Sequence, residues 1–293
     1  MHKKIVIFGE VLFDCFTDGT EILGGAPFNV AWHLQAFGLN PILITRVGED
    51  SRGDKIIDAM NRWGMNCDYV QTDSKRPTGT VSITVKDGEP EYSISPEHAW
   101  GHIQPIEEKP ADNALLYHGT LALWSADARD ALHKLKGETQ AQVFVDVNLR
   151  SPWWDHGTVL SLIRDASWVK LNEEEFSLLF SGPETEQKRV ESALDMLKAG
   201  AFLLTRGERG ATFYQAGKTA QSVSPSPVSG IVDTVGAGDA FSAAFIIGVH
   251  KGWPIKTTLT RAQDFASAII MHPGATVQDR EFYQKFRDRW SIT

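Results

Sequence analysis

The stretch that most constrains this chain runs from Asp233 to Val249, DTVGAGDAFSAAFIIGV. Its second half is apolar on every side (Ala240, Phe241, Ala243, Ala244, Phe245, Ile246, Ile247) and long enough for about three to four helical turns. A helix with no polar face has to be buried between other layers. It still begins with backbone N–H groups that no turn of its own can satisfy. Those donors and the positive end of the helix dipole suit an anion, phosphate above all, and the glycines of Gly236-Ala237-Gly238 let one approach closely. One acid, Asp239, stands at the same place. Phosphoryl transfer to an alcohol requires this pairing: donors for the charge of the moving group, and a carboxylate that takes the hydroxyl proton. An Asp near a helix start is also an ordinary cap, and Gly-Ala-Gly an ordinary tight turn. In the first helical turn the dipole should keep Asp239 ionised.

At 293 residues the chain suits one large α/β domain with a substantial core. Its net charge of −8 argues against nucleic acid or an anionic membrane as a partner. An anionic substrate would then need local help from helix ends, a few Lys or Arg, and a metal. Lys3 and Lys4 precede an apolar run too short for a signal peptide, and no stretch approaches the roughly 20 apolar residues of a membrane span. A cytoplasmic protein is the expectation. Cys15 and Cys67 provide neither a disulfide framework nor a metal spacing.

Ile5-Val6-Ile7-Phe8 reads as a buried parallel strand ending at Gly9. A dinucleotide fingerprint would follow at once, but the sequence runs GEVLFD instead. Gly24-Gly25 makes a turn, Pro27 suits a first helical turn, and Ala31, Leu34 and Ala36 carry a helix to Gly38. Asn29, within that first turn, either faces a ligand over the glycines or bonds the helix start. Val81, Ile83 and Val85 alternate with polar residues, Asp87-Gly88 marks a turn, and Tyr92 and Ile94 alternate again. That is a β-hairpin with one apolar face, outside the main sheet. Past the strand Val143-Phe144-Val145, the segment Asp146-Val147-Asn148-Leu149-Arg150 clusters polar residues where an open α/β sheet binds ligands. Arg150 can grip phosphate or sugar oxygens. Glu173, Glu174 and Glu175 open a helix after Asn172, as the dipole favours in any case. Gly217-Lys218-Thr219 looks like the end of a phosphate loop, but Thr212 stands where such a loop needs glycine, so a hairpin turn is expected.

DTVGAGDAF resembles the C-terminal signature of the ribokinase-like (PfkB) carbohydrate kinases. GGAPFNVAWHLQAFG resembles the sugar-binding signature of the same family, in the form closest to fructokinases. DVNLRSPWW is similar to a segment shared by fructokinases and ketodeoxygluconate kinases. The resemblance implies an α/β fold, a ribokinase-like three-layer sandwich with a central mainly parallel sheet and a small β-sheet lid. Residues 1–293 would form one domain, with a discontinuous lid from about 10–25 and 78–98. The implied activity is transfer of the ATP γ-phosphoryl to a sugar hydroxyl, with fructose becoming fructose 6-phosphate. Ketodeoxygluconate, ribose or a nucleoside are the alternative acceptors, and a non-catalytic sugar sensor is a further reading. By the same resemblance, Asp239 is the base, with Gly236, Ala237 and Gly238 as the anion hole. Asp14, Gly24, Gly25, Asn29 and Arg150 hold the sugar. Thr205, Gly207, Gly236, Gly238 and Gly274 line the nucleotide, with Arg206 beside them. Asn172 and Glu175 order Mg²⁺ through water, and Asp233 matches a K⁺ ligand. The apolar face of the lid would pair two subunits into a homodimer.

Overall fold

The computed structural model describes residues 3–86, 89–226 and 230–292, with the side chains outside 85–92. In chain order the first elements are β1 (Ile5–Phe8), β2 (Leu12–Phe16), β3 (Glu21–Gly24), α1 (Ala26–Ala36), β4 (Ile42–Gly48), α2 (Ser51–Trp63), β5 (Val70–Asp73), β6 (Gly79–Lys86) and β7 (Glu89–Ile94). There follow β8 (Leu115–His118), α3 (Ala126–Thr139), β9 (Gln142–Asp146), α4 (His156–Ile163), β10 (Trp168–Asn172), α5 (Glu173–Leu179), α6 (Glu186–Leu197) and β11 (Ala201–Thr205). The chain ends with β12 (Ala211–Gln215), β13 (Gln221–Val223), α7 (Ala237–Lys251), α8 (Ile255–Ile269) and α9 (Arg280–Trp290).

Successive side chains of a strand point to opposite faces, and this divides the core in two. On β1, Ile5 and Ile7 enter one apolar cluster while Val6 and Phe8 enter the other. The first cluster is closed by α1, α2, α7, α8 and α9, the second by α3, α4, α5 and α6. Strands buried on both faces are continuous apolar runs, which is why β1, β8 and β11 show no polar alternation. The large sheet has the order β13-β12-β11-β10-β9-β8-β1-β4-β5. It is parallel from β11 through β5, with an antiparallel edge at β12 and β13. The resulting three-layer α/β fold is the one the family resemblance implied. Residues 217–219 fall in the turn between β12 and β13, where Lys218 N–H donates to Gln215 O at 3.1 Å.

α7 is the buried helix its composition requires. Ala240 to Gly248 are all buried, and Phe245 packs against Phe144 of β9 and Phe213 of β12. A second, four-stranded sheet has the order β3-β2-β6-β7, with β2 and β6 parallel and the outer pairs antiparallel. Asp14 pairs with Val81, and Phe16 with Ile83, so these side chains share one face. Val81 and Ile83 are already buried within a single chain, against Leu12, while Phe16 and Ile22 stay exposed. The expected turn at 87–88 and the side chains of Val85 and Tyr92 lie outside the described residues. Among the described residues, no helix is long and apolar enough to cross a membrane.

Candidate active site

α7 begins without a side-chain cap. Its N-cap residue, Gly236, lies in the left-handed region at φ 79°, and a Cβ there would stand 2.4 Å from Ala275 Cα, so the turn needs glycine. Among the described residues no side chain takes the first-turn N–H donors, and Ala237 N–H makes only a long 3.4 Å bond to Thr234 O. Asp239 lies in this turn, and its Oδ2 accepts from Asn29 Nδ2 at 2.8 Å. Asn29 arrives there because α1 starts at Gly25, whose φ of 106° and 2.7 Å clearance to the Glu10 carbonyl exclude a Cβ. Two residues remote in sequence, each in the first turn of its helix, thus meet head to head.

Around this contact stand further acids and one shared cation. Burial raises the Asp239 carboxyl to about 7; Asp146 adds to the rise, while Asn29, Lys170 and Arg150 oppose it. Asp239 is half-buried. The helix dipole alone would favour the ionised form, whereas burial shifts the carboxyl in the opposite direction. Glu10 is 2% exposed and is also raised to about 7, chiefly by burial, with Asp239 adding and Arg150 opposing. Burial raises Asp14 to about 6, again opposed by Arg150. Arg150 is thus the common positive neighbour of Glu10, Asp14 and Asp239. Among the described residues, the buried acceptors Glu10 Oε2 and Asn29 Oδ1 have no hydrogen-bond partner. Buried acceptors of this kind are ready for donors brought by a ligand.

On the other side of α7's first turn lies a buried cation. Lys170 Nζ pairs with Asp146 Oδ2 at 2.7 Å, and the same oxygen accepts from Ser242 Oγ at 2.8 Å. A Cβ on Gly238 would lie 3.4 Å from Lys170 Nζ, so the ammonium sits directly beside the Gly-Ala-Gly turn. α5 starts next to it, at the end of β10, and its start is closed. Asn172 Oδ1 accepts from Glu175 N–H and Glu175 Oε2 from Asn172 N–H, both at 2.8 Å, a capping box. The remaining oxygen, Glu175 Oε1, accepts from Leu149 N–H at 2.8 Å and so anchors the segment that carries Arg150.

With this geometry the chain matches the pfkB family of carbohydrate kinases over residues 4–281. The chain belongs to that family. The kinase is 28% identical over 291 residues to probable fructokinase-5 of Arabidopsis thaliana, covering 90% of this chain and 89% of that protein. It is 27% identical over 270 residues to 2-dehydro-3-deoxygluconokinase of Bacillus subtilis, covering 86% and 82%. Its fold superimposes on the crystal structure of fructokinase with bound ATP from Xylella fastidiosa with a TM-score of 0.85 at 22% identity, covering 99% of this chain and 100% of that one.

The structure of the kinase brings Asp14, Gly24, Gly25, Asn29, Arg150 and Asp239 into one neighbourhood, and Gly24 lies 3.4 Å, at its Cβ position, from Asp14 Oδ2. Thr205 and Gly207 end β11 beside α5, with Thr205 Oγ1 donating to Leu171 O at 3.3 Å. Arg206 turns away, into ion pairs with Glu186 and Glu173. Asp233 accepts from Val235 N–H at 2.9 Å and from Gly274 N–H at 3.0 Å, so it ties the α7 turn to the loop at 272–276. Sequence reasoning gave no site role to Lys170 or Glu10, and placed Asp146 only within the polar cluster 146–150. For Lys170 a signal existed: a lysine in the middle of Trp168-Val169-Lys170-Leu171, a strand otherwise fit only for the core, needs a buried partner.

Proposed function

We propose that this kinase transfers the γ-phosphoryl of ATP to fructose, giving fructose 6-phosphate. The observation that carries the reading is the Asn29–Asp239 contact at an uncapped helix start. Asn29 holds one oxygen of Asp239, leaving Oδ1 for the proton of the acceptor hydroxyl. The α7 donors at Gly236, Ala237 and Gly238 receive the charge of the moving phosphoryl group, with Lys170 beside them. Asp14, Gly24, Gly25 and Arg150 grip the other sugar oxygens, and Glu10 Oε2 is a further acceptor within reach of that cluster. Thr205, Gly207 and Gly274 follow the nucleotide.

Mg²⁺ would come with the nucleotide and neutralise its phosphate charge. Glu175 uses each carboxyl oxygen for a backbone N–H, and among the described residues no group of three or more His, Cys, Asp or Glu forms a metal cage. Asn172 and Glu175 therefore fit Mg²⁺ only as partners of its waters. Asp233 fits K⁺ in a similar secondary way, through its remaining lone pairs. We further place the kinase in the cytoplasm as a homodimer, paired through the small sheet acting as a lid, where Phe16 and Ile22 are exposed.

A second reading, 2-keto-3-deoxygluconate as acceptor, is favoured by one feature: Arg150 faces the sugar cluster and suits a sugar-acid carboxylate. ADP release across fructose, ribose, nucleosides and 2-keto-3-deoxygluconate decides. Fructose is expected to give the highest kcat/KM. A tenfold advantage for the sugar acid, about 1.4 kcal/mol in the transition state, would transfer the assignment to it.

A further inference from the structure

α1 carries a second buried polar residue one turn beyond Asn29. His33 is fully buried and lies on the same helix face, four residues on. Its Nε2 is 3.1 Å from Ala275 O, and its Nδ1 is 3.0 Å from Tyr283 Oη of α9. A carbonyl only accepts, so Nε2 carries the proton. Burial holds the imidazole far below its ordinary value, at about 3, so the ring is neutral and Nδ1 is a lone pair. The Tyr283 hydroxyl must then donate to Nδ1. Its one proton lies within reach of both Nδ1 and Val277 O at 3.1 Å, and it goes to Nδ1 because Val277 O is already satisfied by Trp32 Nε1–H at 3.1 Å whereas Nδ1 has no other donor. Tyr283 Oη in turn accepts from Val277 N–H at 3.3 Å. A complete relay results: Val277 N–H to Tyr283, Tyr283 to His33, His33 to Ala275 O. It has no unsatisfied member.

The relay ends beside the N-cap of α7. Ala275 is the residue against which Gly236 packs, and the neighbouring Gly274 N–H holds Asp233. One face of α1 therefore grips α7's first turn twice, directly at Asp239 through Asn29 and indirectly at Gly236 through His33 and Ala275. We propose that His33 is a positioning residue that locks the loop Gly274–Val277 to the helix bearing Asn29, so that the sugar side and the nucleotide side of the site keep one register. This rests on the kinase reading above. A merely structural histidine would also be satisfied and buried. The two roles differ in what its removal does to communication between the ligands.

The test is His33→Phe in the full-length protein, which keeps a planar ring and removes both bonds, with His33→Gln as the conservative partner that can still donate toward Ala275 O. ADP affinity is measured by calorimetry with and without saturating fructose, beside kcat, KM and the melting temperature. In the wild-type protein fructose should change ADP affinity severalfold, and by linkage ADP should change fructose affinity equally. In His33→Phe that factor should fall to near one and kcat by about 10- to 100-fold, the effect of small misplacements in a preorganised site; His33→Gln should recover most of both. A coupling factor near one in the wild type, or one unchanged in His33→Phe with only the melting temperature lowered, overturns the inference. If His33→Phe does not fold, Tyr283→Phe is judged by the same criteria, with a smaller loss expected because the Ala275 bond survives. A wild-type protein that binds ADP and fructose cooperatively but phosphorylates no sugar would sink the kinase reading while leaving the positioning role standing.

Discussion

Two helices start on either side of the end of β10, and both carry acids in their first turn. At α5 the carboxylate of Glu175 is saturated: Asn172 N–H and Leu149 N–H occupy its two oxygens, and Asn172 caps the helix in return. At α7 no side chain caps the helix, and Asp239 has a single described hydrogen bond, to Asn29. The dipole favours an acid equally at both places. The difference lies in occupancy. A saturated start adds stability and orients its neighbours, whereas an open start lined with glycine offers donors and a carboxyl to a ligand. Structure and chemistry are divided between two helix starts that read alike in composition.

The largest expected effect tests the open start. Asp239→Asn keeps the size and a hydrogen-bonding group but removes the proton acceptor, so kcat should drop by about 10²- to 10⁴-fold, with nucleotide affinity held or increased. Turnover within about tenfold of wild type, below the range for proton transfer, would mean that α7's acid is a cap like α5's, and the contrast between them would fail.

The pH dependence sharpens the same point. A base raised to about 7 is mostly protonated at pH 6, so kcat/KM should climb close to tenfold per pH unit up to about 7 and level off above it. Stability should run the other way. Asp239 and Glu10 both have folded values above their ordinary ones, so each favours the folded state at low pH and loses that contribution as pH rises through about 7. Melting temperatures from pH 5 to 8 should therefore fall more steeply in the wild type than in Asp239→Asn. Equal slopes would show that Asp239 titrates near its ordinary value.

At the saturated start the outcome should be reversed. Glu175→Gln replaces one acceptor oxygen with an N–H₂ that faces a backbone donor, a buried mismatch costing about 1–3 kcal/mol. The melting temperature should fall by several degrees, while kcat stays within about tenfold, through a looser segment 146–150. A hundredfold loss of kcat at unchanged melting temperature would mark α5 as a second ligand-bearing start.

What could be read in the sequence divides along the same line. The buried strands, the buried α7, the hairpin and the glycine turn were legible because period, apolar run length and turn chemistry are local, and the layering came through the family resemblance. Whether an acid is saturated was not legible. Leu149 lies 26 residues from Glu175, Gly274 41 from Asp233, and Asn29 210 from Asp239. The upward shift of Asp239 was not legible for a related reason. A helix start is visible in the chain, but the protein mass that desolvates the carboxyl comes from other segments. Lys170 and Glu10 became meaningful only when the fold set one against Gly238 and the other close to Asp239.

Asp233 tests the boundary between the two classes, and with the smallest effect. It lies at the open start, yet like Glu175 it accepts one backbone N–H on each oxygen. Each oxygen keeps a lone pair, so a weakly held K⁺ can add positive field beside the α7 turn and help order it without breaking either bond. Replacing K⁺ by a bulky organic cation at equal ionic strength should then lower kcat a few-fold. Asp233→Asn should erase that difference, because its amide nitrogen cannot face a cation. It should also cost some melting temperature through the lost Val235 or Gly274 bond. Equal rates in both cations would place Asp233 with Glu175, as a residue that shapes the turn and takes no part in holding charge.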